Sequence, residues 1–296
     1  MGKMLSGLSA VMDVLLPSVC IVCGRRLNVS EQHLCLHCRA EMPLTHFWER
    51  SHNEMADRFN GLIETGLRIG QETGLDVGVG VEVEVEVESE VPGLTAGFAG
   101  RQSERYAYAV ALFFYDGSGE YRRITQRLKY GGNLSVGQEF GAALGRRIKM
   151  APHFDDVDVV IPVPLHWTRK WMRGYNQAEV IAAEIAKVLE ADMRTDVLKR
   201  CRRTHTQTKV DPKKKAENVR GAFVADASSL SDASSLAPSS LADGANLVDG
   251  ACHHLLLVDD VFTSGATLYN CFLALRAVLP VSVRISVATL AYVGGA

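Results

Sequence analysis

Two adjacent acids at the end of an apolar run are the residues whose types and spacing best suit chemistry. Residues 255–258 are Leu-Leu-Leu-Val, and Asp259 and Asp260 follow them directly. Such a run predicts a buried strand, and open α/β sheets bind ligands beyond the carboxyl ends of their strands. A short loop of small and hydroxyl residues comes next: Thr263, Ser264, Gly265, Ala266 and Thr267. Its N–H groups and hydroxyls can bind a phosphate at the start of a helix, while the acids accept hydrogen bonds from a sugar diol.

Three other structures can contain such a run, and the sequence argues against each. A Walker loop is excluded because the chain has no G-x-x-x-x-G-K-[ST] motif. A response-regulator acid pocket also follows a strand that ends in two aspartates, but the stretch after Asp260 is too short for the rest of that domain. An ordinary strand, loop and helix explains the apolar residues, but it does not explain two acids beside five small or hydroxyl residues.

Four of the seven cysteines form two closely spaced pairs near the start of the chain: Cys20, Cys23, Cys35 and Cys38. Each pair suits a tight turn, and two pairs complete a tetrahedron of thiolates around one zinc ion. Gly24 follows the first pair and suits the positive φ that such turns often need. The spacing predicts a structural zinc module at residues 1–50. A catalytic zinc is disfavoured because four thiolates leave no open coordination position, and a redox dithiol needs only one pair.

Residues 259–267 closely resemble the 5-phosphoribosyl-1-diphosphate (PRPP) motif of type I phosphoribosyltransferases. In that family the two acids contact the ribose 2- and 3-hydroxyls and the loop wraps the 5-phosphate. The order of segments along the chain also resembles the ComF family, whose members are called double zinc ribbon proteins. The matching segments are the cysteine pairs, Lys-Tyr at 129–130, Pro-Val-Pro-Leu at 162–165, Arg169 with Arg-Gly-Tyr-Asn-Gln at 173–177, and Asn-Val-Arg-Gly-Ala-Phe at 218–223.

The resemblance implies further ligand contacts. Val163 and Pro164 lie where the family has a loop that contacts the diphosphate, and Lys129 lies in another matching segment. Arg169 and Arg173 can reach the same anion, since a planar guanidinium matches the oxygens of a phosphate. In the alternative interpretation these basic residues are a solvated helix start, and residues 175–177 cap the next helix.

Two functions remain open at this stage. An enzyme of this type would displace diphosphate from the ribose anomeric carbon, with Mg²⁺ bound beside PRPP, although the sequence does not indicate the acceptor. The ComF resemblance implies a role in natural competence, the uptake or use of external DNA. In the second interpretation the protein is a non-catalytic accessory that senses a nucleotide or binds single-stranded DNA or a competence helicase. The basic segment at 199–220 can cover a diphosphate or bind DNA phosphates.

The elements that must position these residues alternate along the chain. Apolar runs predict strands at 110–115, 157–163, 255–258 and 283–291, and helical spacing predicts helices at 120–130, 135–149 and 176–189. A further helix follows the acid pair, with Leu268, Cys271, Phe272 and Leu275 on its apolar stripe. This alternation predicts an α/β domain at 106–296, similar to type I phosphoribosyltransferases, with a mostly parallel sheet covered by helices on both faces.

Low-complexity segments and composition complete the prediction. Residues 51–105, which include a Val-Glu repeat at 81–88, are expected to form a linker or insertion, and residues 226–250 a mobile loop. The net charge of −2 argues against a chain that is basic throughout. Residues 1–17 fit a short amphipathic helix better than a signal peptide, and no apolar run reaches the ~18 residues of a membrane span. An odd number of cysteines argues against a secreted disulfide framework, so we expect a cytoplasmic protein without membrane insertion.

Overall fold

The computed structural model describes residues 18–73, 104–115, 119–130, 133–201, 222–226, 228 and 252–294. Several predictions from the sequence lie outside these residues: the amphipathic helix at 1–17, the Val-Glu repeat, and most of both the basic segment at 199–220 and the loop at 226–250.

A five-stranded parallel sheet lies at the centre of the protein, and a small antiparallel hairpin accompanies it. The strands within the described residues are β1 (Ala109–Phe114), β2 (Val159–Pro162), β3 (Asp192–Met193), β4 (Leu198–Arg200), β5 (Phe223–Ala225), β6 (His254–Phe262) and β7 (Arg284–Tyr292). The order in the sheet is β1-β7-β6-β2-β3, and β4 pairs with β5. The apolar residues of β1, β2, β6 and β7 are buried almost without interruption, as expected for parallel strands covered on both faces.

Helices cover both faces of the sheet. In the part of the chain that the structure describes, the α-helices are α1 (Leu36–Ala40), α2 (Glu54–Thr73), α3 (Arg122–Tyr130), α4 (Leu134–Lys149), α5 (Trp167–Arg173), α6 (Gln177–Leu189) and α7 (Ala266–Arg276). α2 and α7 pack together on one face, and α4 packs against α6 on the other. Gly141 permits the close contact of α4 with α6, because a Cβ there would lie 3.0 Å from the Ile181 carbonyl oxygen. The architecture confirms the predicted α/β fold with a parallel sheet.

Helix α2 lies inside the interval 51–105, for which the sequence predicts a linker or insertion. It buries Met55, Phe59 and Ile63, and the ring of Phe59 packs edge-on against Phe272 of α7. Asn60 also exchanges two hydrogen bonds with the backbone of Ala107, at 2.8 and 3.0 Å. At least the first part of this interval therefore belongs to the core.

Strand β6 is longer than the predicted strand at 255–258, because β7 pairs with it as far as Phe262 and Tyr292. The two acids are consequently part of the strand. On its other side, the paired register with β2 ends at Pro162 and Val258. The N–H of Val163 makes one more hydrogen bond, of 2.8 Å, to the Val258 carbonyl oxygen before the chain turns away. From the acid pair onwards, β6 is therefore paired with β7 but no longer with β2.

Candidate ligand pocket and cysteine cluster

The acid pair lies where β6 extends beyond β2, and its two side chains have different surroundings. Successive residues of a strand point to opposite faces of a sheet. Asp260 is 9% exposed and forms an ion pair with Lys129 at the end of α3, with 3.0 Å between Nζ and Oδ2. Burial alone would lower the pKa of Lys129, but the charge and hydrogen bond of Asp260 outweigh it and raise that pKa. The carboxylate thus already has a cation beside it.

Asp259 is partly buried, and its Oδ1 accepts a hydrogen bond of 2.8 Å from the Asp260 N–H. Burial, and then the charge of Asp260, raise the pKa of Asp259 to about 7, against the opposing effects of that N–H, Lys129 and Arg200. Arg200 belongs to β4, and its guanidinium lies 5.0 Å from the centre of the Phe223 ring in β5. The hairpin therefore places a positive charge close to the acid pair.

The loop at residues 263–267 leads directly into α7. Thr263 and Ser264 are exposed, and the Ser264 Oγ accepts a hydrogen bond of 3.4 Å from the Ala266 N–H at the start of the helix. Gly265 has φ of +80°, and a Cβ there would lie 2.7 Å from the Phe262 ring. Glycine is therefore required both by conformation and by space. Thr267 is partly buried in the first turn of α7.

The other predicted ligand residues lie around the same end of the sheet. Val163 is buried and Pro164 partly buried, and the Asn176 side chain donates to the Val163 carbonyl oxygen at 3.0 Å. Arg173 is close enough for its charge to act on Lys129, and it donates to the Gln177 Oε1 at 3.1 Å. Arg169 lies in α5, but its side chain is outside the described part.

The segment at 175–177 contributes to helix capping and also places a buried amide near the pocket. The Asn176 side chain caps α6 by accepting from the Ala178 N–H at 3.2 Å, as the capping alternative predicts. Gln177 is 3% exposed, and its Nε2 has no hydrogen-bond partner among the described residues. From the sequence, residues 175–177 either touch the ligand or cap the helix, so Gln177 was an open candidate. Arg200 was identified only as one member of a basic run.

The four cysteines converge, and their geometry fits one tetrahedral metal ion. Their sulfur atoms all lie within 4.8 Å of one another, and those of Cys23 and Cys35 are 3.8 Å apart. A zinc tetrathiolate with bonds of about 2.3 Å has sulfur atoms about 3.8 Å apart. Gly24 has the expected positive φ of 74°. Burial would raise the pKa of the Cys20 thiol, but surrounding hydrogen bonds lower that pKa to about 6, whereas burial and the neighbouring cysteines raise the pKa of Cys38. The cluster by itself thus favours a thiolate at Cys20, and a metal that binds all four sulfur atoms must displace the proton of Cys38.

The curated relatives of this chain are competence and DNA utilization proteins. Competence protein F of Haemophilus influenzae is 28% identical over 148 residues, which are 49% of this chain and 57% of that protein. The resemblance to the ComF family is confirmed. DNA utilization protein YhgH of Escherichia coli O157:H7 and that of Shigella flexneri are each 27% identical over 110 residues, 37% of this chain and 39% of theirs. The chain thus spans between about 40% and 60% of the length of these curated relatives, and no family model matches it.

None of the helices in the described residues combines the length and the apolar character that crossing a membrane requires.

Proposed function

We propose that the pocket at the end of β6 binds a ribose 5-phosphate group, as in PRPP, and that the protein acts in the uptake or use of external DNA. The observation that supports the ligand is the acid pair, with Lys129 at 3.0 Å from Asp260, beside the loop at 263–267. The DNA-linked role rests on relatives that are named competence protein F and DNA utilization protein.

Each part of the pocket suits one part of this ligand. Asp259 and Asp260 accept hydrogen bonds from the ribose 2- and 3-hydroxyls. The hydroxyls and N–H groups of the 263–267 loop bind the 5-phosphate at the start of α7. Val163, Pro164 and Arg173 lie where a diphosphate would follow, with Arg169 on the same short helix.

Mg²⁺ fits this arrangement, because carboxylate and phosphate oxygens are the ligands that it prefers. The acid pair would hold the ion together with oxygens of the ligand. The ion would neutralise part of the negative charge of the diphosphate. If the protein is a transferase, the bond from the anomeric carbon to diphosphate breaks as a bond to the acceptor forms, and Arg173 and Lys129 stabilise the departing anion.

Zinc is the metal that we propose for the four cysteines, in a structural role. Four thiolates at tetrahedral spacing complete its coordination and leave no position for a substrate. Thiolate ligands and free cysteines suit a reducing compartment, so we place the protein in the cytoplasm.

A non-catalytic accessory role is the second candidate, and one surface feature favours it. Trp167 and Trp171 lie one turn apart on α5 and are 72% and 84% exposed. Helix α5 follows the loop at 163–166, and the exposed Lys170 belongs to the same helix. Exposed aromatic rings among basic side chains are the arrangement on which the bases of single-stranded DNA stack.

Calorimetric titration of the purified protein with PRPP in the presence of Mg²⁺ tests the first proposal. We expect saturable binding that is lost in Asp260→Asn and kept in Asp155→Asn, an exposed acid near the opposite end of the sheet. An assay for released diphosphate in the presence of candidate acceptors then separates an enzyme from a binding protein. Equal PRPP affinity in wild type and Asp260→Asn would overturn the pocket assignment.

The accessory role has a different test. Trp167→Ala with Trp171→Ala should weaken binding of a single-stranded oligonucleotide and leave PRPP binding unchanged. Undiminished oligonucleotide binding in this variant would exclude the tryptophan pair as the stacking surface.

A further inference from the structure

Helix α3 contacts the cysteine cluster at one end and the ligand pocket at the other. Just before its start, the Tyr121 hydroxyl donates to the Cys38 carbonyl oxygen at 2.8 Å. In its first turn, the Arg123 guanidinium donates to the carbonyl oxygen of Val22, between Cys20 and Cys23. At its end, Lys129 forms the ion pair with Asp260. With a rise of 1.5 Å per residue, the six steps from Arg123 to Lys129 cover about 9 Å.

The position of α3 depends on its tertiary partners. It has only nine residues, and isolated helices of that length are unstable in water. Its first turn contains no acid, and arginines at 122 and 123 face the positive end of the helix dipole. Arg123 and Arg127 also place like charges four residues apart. Two buried apolar side chains, Ile124 and Leu128, hold the helix against the core, and Thr125 is buried beside them.

Hydrogen bonds add to this packing at both ends of α3. The Tyr175 hydroxyl donates to the Leu128 carbonyl oxygen near Lys129, and Tyr121 and Arg123 donate to two carbonyl oxygens of the cysteine turns. Those carbonyl oxygens are themselves fixed when the four sulfur atoms are bound to one ion. The cysteine cluster can therefore determine how far Lys129 extends towards Asp260.

We infer that the metal-bound cysteine cluster positions Lys129 in the ligand pocket through α3. The inference rests on the proposed binding of PRPP at that pocket. It gives the cluster a role beyond local stability: whatever loosens the cysteine turns also weakens ligand binding. Lys129 is then a positioning and charge-bearing residue whose effect depends on contacts about 9 Å away.

A double-mutant cycle tests this coupling. Tyr121→Phe with Arg123→Met removes both hydrogen bonds to the cysteine turns and keeps all four cysteines and the pocket. We expect this variant to retain its bound zinc and to bind PRPP about three- to tenfold more weakly than wild type. In a Lys129→Met background the same two changes should have no further effect. Arg127→Met is the matched control, because it removes one positive charge from α3 and no hydrogen bond to the cysteine turns.

The inference is overturned if the loss of affinity is the same with and without Lys129, or if Arg127→Met causes an equal loss. Hydrogen exchange of the ligand-free protein separates this result from a failure of the proposed function. The last turn of α3 should exchange faster in Tyr121→Phe/Arg123→Met than in Arg127→Met, whether or not wild type binds PRPP. Absence of PRPP binding by wild type, with faster exchange, would reject the ligand but support the coupling. Equal exchange in the two variants would reject the coupling itself.

Discussion

Two neighbouring carboxyl groups with different surroundings define the pocket at the scale of single residues. Asp260 faces the ammonium of Lys129, whereas Asp259 is raised to a pKa of about 7 by burial and by its neighbour. Acid pairs with such different environments are common at functional sites, where they bind protons, cations and hydroxyl groups in distinct ways. An acid that is hard to ionise also lowers the stability of the free protein, and this cost can be measured.

Asp259→Asn should stabilise the protein in a pH-dependent manner. The pKa of Asp259 is higher in the folded protein, about 7, than the ordinary value of 3.8, so the folded state binds this proton more tightly. The stabilisation that results from this tighter proton binding is complete below about pH 4, where Asp259 is protonated in both states. It is lost as the pH rises through 7 and the folded state loses the proton. The advantage of the variant should therefore grow between pH 5 and pH 8, to about 1–3 kcal/mol. Urea unfolding at both pH values measures it, and Asp155→Asn is the control. An advantage that does not change with pH would contradict the assigned environment.

At the scale of elements, the turn between β6 and α7 depends on one glycine. Gly265→Ala combines a positive φ with a Cβ only 2.7 Å from Phe262 and 2.9 Å from Leu62. Gly174 has nearly the same φ, +79°, but a Cβ there would meet nothing within 4 Å. We expect Gly174→Ala to lower the free energy of unfolding by about 1 kcal/mol and Gly265→Ala by about 2–4 kcal/mol, in urea titrations. Equal losses would show that the contact with Phe262 relaxes easily.

The sequence predicts best the elements in which nearly every successive residue is apolar and buried. The strands at 109–114 and 284–292 begin and end within one residue of their predicted bounds, because parallel strands covered on both faces are apolar throughout. Helix α2 was missed although its buried residues, Met55, Phe59 and Ile63, recur every four residues, which is the spacing of an amphipathic helix. Its burial depends on contacts with β1 and α7, which are distant in the sequence.

The candidate site also has parts that a local sequence pattern predicts and parts that depend on contacts between distant segments. The loop at 263–267 and the cysteine cluster are local motifs, so their spacing suffices to predict them. The end of β6 was wrongly predicted because its pairing with β7 extends the strand to Phe262. The ion pair between Lys129 and Asp260 joins elements far apart in the chain, and only the resemblance to a family pointed to Lys129. The position of Arg200 close to the acid pair could be found only from the fold.

At the scale of the whole molecule, the cysteine cluster is part of the same core as the sheet. Cys20, Val22 and Leu34 belong to one buried apolar cluster with the residues of β1 and α3. The Arg39 side chain also forms an ion pair of 2.5 Å with Glu139 of α4. Opening of the cysteine turns should therefore expose part of the main core, so metal binding and global stability are coupled.

Zinc should consequently raise the melting temperature of the entire protein. A metal that binds only the folded state stabilises it by RT ln(1 + [Zn]/Kd), about 4 kcal/mol when free zinc exceeds Kd a thousandfold. We expect the melting temperature of wild type to rise with added zinc and to fall with a chelator, in a single transition. Cys35→Ser should have a lower melting temperature that hardly responds to either. Cys201→Ser, which changes an exposed cysteine outside the cluster, should behave like wild type. Calorimetric scans that show a separate, zinc-dependent transition, with the main one unchanged, would mean that the cluster folds independently of the sheet and cannot position α3.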